Sequence, residues 1–167
     1  MGNFLKGFVF TIIVVLFSSC DGLGLVTTRV TVEFDYAKFN TERASWNLNP
    51  PLNYQYNLEY RGGGELGTVD SLIFVKDGKY ERQEPKYYEE SRFYLTITDI
   101  YNEINESYVR YNDTLQFKDE NYLKKIVIRY DKTNHIPLEI EEYYHVPMGV
   151  ADVTSYSHTI ITQYKTD

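Results

Sequence analysis

The stretch YQYNLEY, from Tyr54 to Tyr60, sets a tyrosine or a leucine at every second position. A period of two is the period of a pleated strand, whose successive side chains point to opposite faces. Runs rich in Ile, Val, Thr and Tyr return from Val69 to Val75, from Lys124 to Tyr130, from Leu138 to Val146 and from Ser155 to Tyr164. A chain with so many of them has to build a sheet, and the apolar face of a sheet needs a second layer laid over it.

The punctuation between the runs supplies that layer. Asp35 can accept from the exposed N–H groups of a first helical turn, and Tyr36, Phe39, Arg43 and Trp46 then fall on one face at spacings of three and four. Asn49-Pro50-Pro51 ends this helix. Lys76-Asp77-Gly78-Lys79 reads as a hairpin turn, because an Asp-Gly pair tolerates positive φ; a return strand follows from Lys79 to about Gln83, and Pro85 stops it. A second helix starts at Thr96, with Asp99 three residues later forming a capping box, and carries Ile97, Ile100, Tyr101, Ile104 and Tyr108 on its apolar face. The polar stretch from Tyr111 to Asn121 reads as a loop. The expected architecture is α+β, an antiparallel sheet with two helices on one face, in the order helix, three strands, helix, three strands.

The N-terminus belongs to something else. Gly7 to Phe17 is an uncharged apolar run preceded by Lys6. As a helix it would reach roughly 16 Å, about half of a ~30 Å hydrocarbon core, so it is too short to span. A positive start, a short apolar stretch and small residues after it are the marks of a secretory signal rather than of a core segment. Phe17-Ser18-Ser19-Cys20 resembles the lipobox of bacterial lipoproteins, in which the cysteine takes a diacylglyceryl group and becomes the first residue after cleavage. Phe17 stands where that motif usually has Leu, and it also disfavours an ordinary signal cut, which wants small residues there. Cys20 is the sole cysteine of the chain, which excludes an intramolecular disulfide. The expectation is a cleaved signal peptide over residues 1–19 and a lipidated N-terminus and tether over 20–33. The alternating TTRVTVEF (Thr27 to Phe34) would be a strand or an extended lead-in, and a single α+β domain would occupy 34–167. Two or three acyl chains on Cys20 would hold such a protein at the cell membrane or the outer membrane, where a single chain binds only reversibly.

Loss of the signal removes one of 17 basic side chains and none of the 24 acidic ones, leaving a net charge of −8. That balance argues against nucleic acid or an anionic bilayer surface as a partner. Tyrosine is the compositional outlier at 17 copies. Tyr favours strands, so these read mainly as strand residues, many half-buried with the hydroxyl at the surface, although Tyr also suits binding surfaces.

With the elements in place, Phe39-x3-Arg43-x2-Trp46, the Tyr-rich strand, the Asp77-Gly78 hairpin, the TITDIYNEI helix and IRYDKTNHIP fall in one order. Together they resemble a family of bacterial envelope lipoproteins catalogued only as a domain of unknown function, over roughly Phe34 to Tyr164. The family pattern is Tyr-Asp, a Gly four residues after the Asp, then a Pro two further. Tyr130, Asp131 and Pro137 fit, His135 stands at the Gly position, and Asn134 is the residue expected to carry the positive φ instead. Where the family often has adjacent acids, this chain has Ala151-Asp152-Val153, of which only Asp152 fits. The resemblance implies an envelope location and brings no activity with it.

The candidate chemistry is sparse. Arg43 shares a face with Phe39 and Trp46, so it is expected to stack on the indole or meet a carboxylate, pinning helix to sheet. Three histidines lie among Glu139, Glu141, Glu142 and Asp152, and His145 and His158 fall on strands that could be neighbours. None has the close spacing that marks a zinc site, so no metal and no cofactor is expected. Glu89-Glu90 and Glu141-Glu142 are adjacent pairs, and neighbours on a strand point to opposite faces, which excludes them as catalytic dyads there. No Ser sits in a nucleophile elbow, and GGGELG lacks the following Lys and helix of a phosphate loop. The expected function is a non-enzymatic binding or interaction module of the cell envelope, whose partner would be an envelope protein or a small ligand. The alternative is an envelope hydrolase with an acidic site assembled from distant strands.

Overall fold

A computed structural model describes residues 27–62, 68–84, 95–117, 120–147 and 156–166; Cys20, Glu89-Glu90 and Asp152 lie outside them. The elements run β1 (Thr27–Val30), α1 (Tyr36–Leu48), β2 (Tyr54–Arg61), β3 (Thr68–Lys76), β4 (Lys79–Glu84), α2 (Ile97–Tyr111), β5 (Thr114–Phe117), β6 (Tyr122–Tyr130), β7 (Pro137–His145) and β8 (Tyr156–Thr166). No helix among the described residues is long and apolar enough to cross a membrane.

The expected α+β class holds, with an antiparallel six-stranded sheet in the order β4-β3-β2-β8-β7-β6. Its two three-stranded halves meet where β2 pairs with β8. The element order differs from expectation in one respect. β1 and β5 form a second, two-stranded antiparallel sheet, so the stretch from Tyr111 to Asn121 is not simply a loop. Thr114 to Phe117 is too short and too polar to show a period, and its partner is Thr27 to Val30, more than eighty residues earlier. β1 leads into the core through buried Val30 and Val32. Beyond it, Glu33 bridges to Lys125, donating its N–H to the Lys124 carbonyl and accepting from Ile126 N–H. That contact covers part of the β6 edge, while the β4 edge is blunted by its sequence KYERQE, two ways of discouraging strand addition.

Both helices begin as the caps require. Asp35 accepts from Lys38 N–H at 3.0 Å. Thr96 and Asp99 complete a reciprocal capping box, which satisfies two otherwise orphan donors. The buried residues of the helices, Phe39 and Trp46 on α1 and Ile97, Ile100, Tyr101 and Ile104 on α2, pack on one sheet face. That face is built by Tyr54, Tyr56 and Leu58 of β2, Ile73 and Val75 of β3, Ile140 of β7 and Ile161 of β8. Truncating a buried ring such as Phe39 to Ala would cost about 3–5 kcal/mol, a large share of a domain's stability.

The tyrosines of β2 do more than the sequence suggests. Tyr54 and Tyr56 are buried, and their hydroxyls are used inside the fold rather than at the surface. Tyr54 accepts from Ile97 N–H at 3.0 Å, and Tyr56 donates to the Leu95 carbonyl, so both fasten the start of α2 to the sheet. Tyr101 on α2 likewise donates to the His135 carbonyl at 2.5 Å. A phenylalanine at these positions would fill the space and leave a buried backbone group unpaired.

Two backbone details set the turns. Asp77 and Gly78 have φ of 52° and 71°, as the hairpin requires. In the β6–β7 turn it is His135, at φ 57°, that takes the left-handed conformation, and Asn134 does not. Asp131 fixes this turn by accepting from both Thr133 and Asn134 N–H. His135 Nδ1 lies 2.8 Å from a Glu42 oxygen on α1, which tethers the non-glycine residue in its strained geometry. A further irregularity sits in β8, where Gln163 has φ 52° and the pairing with β2 slips beside it. The extra residue brings Tyr164 round to the helix side, against Trp46 and Tyr54.

Candidate functional site

The outer face of the sheet, opposite the helices, contrasts with the core face. Outward positions on β2, β3, β7 and β8 include Asn57, Glu59, Leu72, Phe74, Glu139 and Ile160, and all of these are half-buried. None of the residues named in the core belongs to this face. The register of β7 against β8 sets Glu141 opposite His158, Tyr143 opposite Tyr156 and Glu139 opposite Ile160. Because side chains alternate, Glu139, Glu141 and Tyr143 share the outer face with Tyr156 and His158. On β6, Arg129 pairs with Glu139 and joins them.

The side chains converge. His158 Nε2 lies 2.8 Å from Glu139 Oε1, while Arg129 Nε donates to Oε2 of the same carboxylate at 2.9 Å. Tyr143 donates to Glu141 Oε2 at 2.6 Å, and its ring packs 5.1 Å from Tyr156, which in turn lies 5.9 Å from the His158 ring. One ligand atom from each of Glu139, Glu141 and His158 falls within 4.8 Å of the others. Electrostatics follow this arrangement. The hydrogen bond from Arg129, then that with His158, holds Glu139 below the usual carboxylate range. The bond to Glu141 pushes Tyr143 up to about 12, while Tyr156 is raised by desolvation first and then by Glu141 and Glu139.

The remaining sequence candidates are distributed elsewhere. Glu142, next to Glu141, points to the helix side and accepts from Tyr144 at 3.0 Å and Ser157 at 3.0 Å, so the two adjacent acids do lie on opposite faces. His145 stacks on Tyr122 at 4.6 Å and is no neighbour of His158 in the strand register. Among the described residues Arg43 meets neither the indole nor a carboxylate; it donates to Asn102 Oδ1 at 2.8 Å and so ties helix to helix. The indole of Trp46 donates instead to Thr98 at 3.1 Å. The pairing that sequence reading missed is Glu139 with Glu141. Its signal was present as Glu-x-Glu on a strand, a spacing that returns two acids to one face, but the histidine that completes the group comes from β8 and depends on the register.

Comparison with protein-family models, with curated proteins and with solved structures finds no match to this chain.

Proposed function

We propose that this chain is a lipid-anchored protein of the bacterial cell envelope, acylated at Cys20, whose α+β domain is a non-catalytic binding module. The anchor is supported by the short apolar run, the small residues after it and the single cysteine placed at its end. It resembles in this the envelope lipoproteins whose motif order it shares. The binding role is carried by one observation, the contrast between the two sheet faces. The helix side holds the core, whereas the outer side carries Phe74, Tyr143, Tyr156 and Ile160 among charged groups, and no described helix packs on it. Aromatic residues interleaved with polar ones are the composition of a contact surface. With a net charge of −8 after loss of the signal, the partner class is an envelope protein or a small ligand, and not nucleic acid.

The alternative of an envelope hydrolase draws on Glu139 and Glu141. A carboxyl pair of that kind needs one member to hold its proton, and Arg129 favours the ionised form of Glu139. On that reading Glu141 would have to be the member that holds the proton. A photo-crosslinking residue at Tyr143, compared in living cells with one at exposed Ala44 on α1, is expected to yield a discrete adduct from Tyr143 alone. Equal or absent labelling from both positions counts against the outer face. Detergent phase partitioning with lipid labelling tests the anchor separately. The wild type should enter the detergent phase carrying label, and Cys20→Ser should do neither.

A further inference from the structure

The group formed by Glu139, Glu141 and His158 has the donors of a metal centre as well as those of a salt-bridged surface. It draws on two strands, with Glu139 and Glu141 two residues apart on β7 and His158 across from Glu141 on β8. His158 is the least exposed of the contacting pair, with 13 % of its side chain accessible against 29 % for Glu139. The imidazole and the Glu139 carboxylate are therefore held against the sheet.

We propose that Glu139, Glu141 and His158 bind one divalent first-row cation of the zinc class. Metal–nitrogen and metal–oxygen bonds of about 2.0–2.2 Å place neighbouring tetrahedral donors about 3.4 Å apart. The present His158 Nε2 to Glu139 Oε1 separation is 2.8 Å, the length of a contact with a proton between the two atoms. A cation takes the place of that hydrogen bond, with a small opening between the pair, and Glu141 closes from its position within 4.8 Å of both. A metal–Nε2 bond then replaces the Nε2–H bond: the displaced proton passes to Nδ1 when the ring starts neutral, and leaves to solvent when the ring starts as an imidazolium whose Nδ1 already carries one.

The surrounding donors fit this role. Arg129 grips Oε2 of Glu139, so the oxygen turned toward the imidazole is the other one. Tyr143 holds one oxygen of Glu141 and so orients that carboxylate. Hydrogen bonds of this kind, made to the ligands rather than to the metal, fix ligand direction and commonly change affinity 10- to 100-fold. A mixed imidazole and carboxylate set suits zinc and its neighbours, whereas calcium and magnesium prefer oxygen alone. Three protein donors leave a coordination position for water or for a group presented by a partner. The site shares the face assigned above to partner binding, but metal binding stands without that assignment and without the anchor.

The test is calorimetric titration of chelator-stripped, detergent-solubilised full-length protein with Zn²⁺, followed by metal analysis after dialysis. One Zn²⁺ per chain is expected, with millimolar Ca²⁺ unable to compete. His158→Gln and Glu141→Gln should each weaken binding by at least about 100-fold, and Tyr143→Phe by about 10-fold. His145→Gln, which alters a histidine at the end of β7 that stacks on Tyr122, should bind as the wild type does. Circular dichroism of each variant establishes that the sheet is intact, so a loss of binding reports on the ligands. Absence of saturable binding to the wild type overturns the proposal. So does stoichiometric binding that survives both ligand substitutions.

Discussion

Raising the pH should unfold this protein in a single steep step, because several tyrosines cannot ionise while the core is intact. Tyr54, Tyr56 and Tyr101 are 4 %, 0 % and 0 % exposed. Burial pushes the Tyr54 hydroxyl up to about 12 and those of Tyr56 and Tyr101 well above their ordinary value. In the unfolded chain each ionises near pH 10, so above that pH the unfolded state binds fewer protons than the native one and stability falls. The contribution is intact below pH ~10 and is lost as the pH rises toward the native values. Each group costs about 1.4 kcal/mol per pH unit, so three cost about 4 kcal/mol per unit and about 8 kcal/mol by pH ~12. A domain of this size has a total stability of about 5–15 kcal/mol. The assay is tyrosinate absorbance followed alongside far-ultraviolet circular dichroism during an alkaline titration. Of the 17 tyrosines, the exposed ones should ionise gradually, and the rest should appear together as the dichroism collapses. Smooth ionisation of all of them around pH ~10, with the dichroism retained, would refute the assignment of these hydroxyls to the interior.

Two other perturbations test the turns. Gly78→Ala should destabilise the domain by about 1 kcal/mol in thermal or urea denaturation, since φ there is +71° while an added Cβ would meet only Leu52 at an ordinary 3.8 Å. At low pH, Asp131 carries the sign opposite to that of the tyrosines. Its carboxylate is held below the usual range by the backbone N–H of Asn134 first, and then that of Thr133. Its contribution is therefore complete above the unfolded value of 3.8 and disappears as the pH falls through the lower native one. Melting temperature measured against pH should show a shallower acid limb in Asp131→Asn than in the wild type, and identical limbs would contradict the turn geometry.

Local chemistry was legible in the sequence where neighbours decide the outcome. Thr96 and Asp99, Asp35 and the Asp77-Gly78 pair each act within four residues, and each does what its chemistry implies. The period of Tyr54, Tyr56 and Leu58 likewise named a core face. What stayed hidden depends on distant partners. β5 is a strand only because β1 is beside it. Arg43 finds Asn102 on another helix, and His135 accepts a strained φ beside Glu42, 93 residues away. The candidate site failed to show for the same reason. Glu139 and Glu141 were visible as acids, but their union with His158 is a property of strand register, which no local pattern specifies.

The position of β8 between β2 and β7 has a consequence for how the molecule assembles. Leu58 cannot meet Ile161 until about 100 intervening residues have been gathered in, and closing so long a loop slows folding. Until then two small ribbons each offer a bare inner margin, the kind of surface that invites aggregation. The final strand acts as a keystone, so this polypeptide should acquire native structure late and all at once, with no half of it maturing alone.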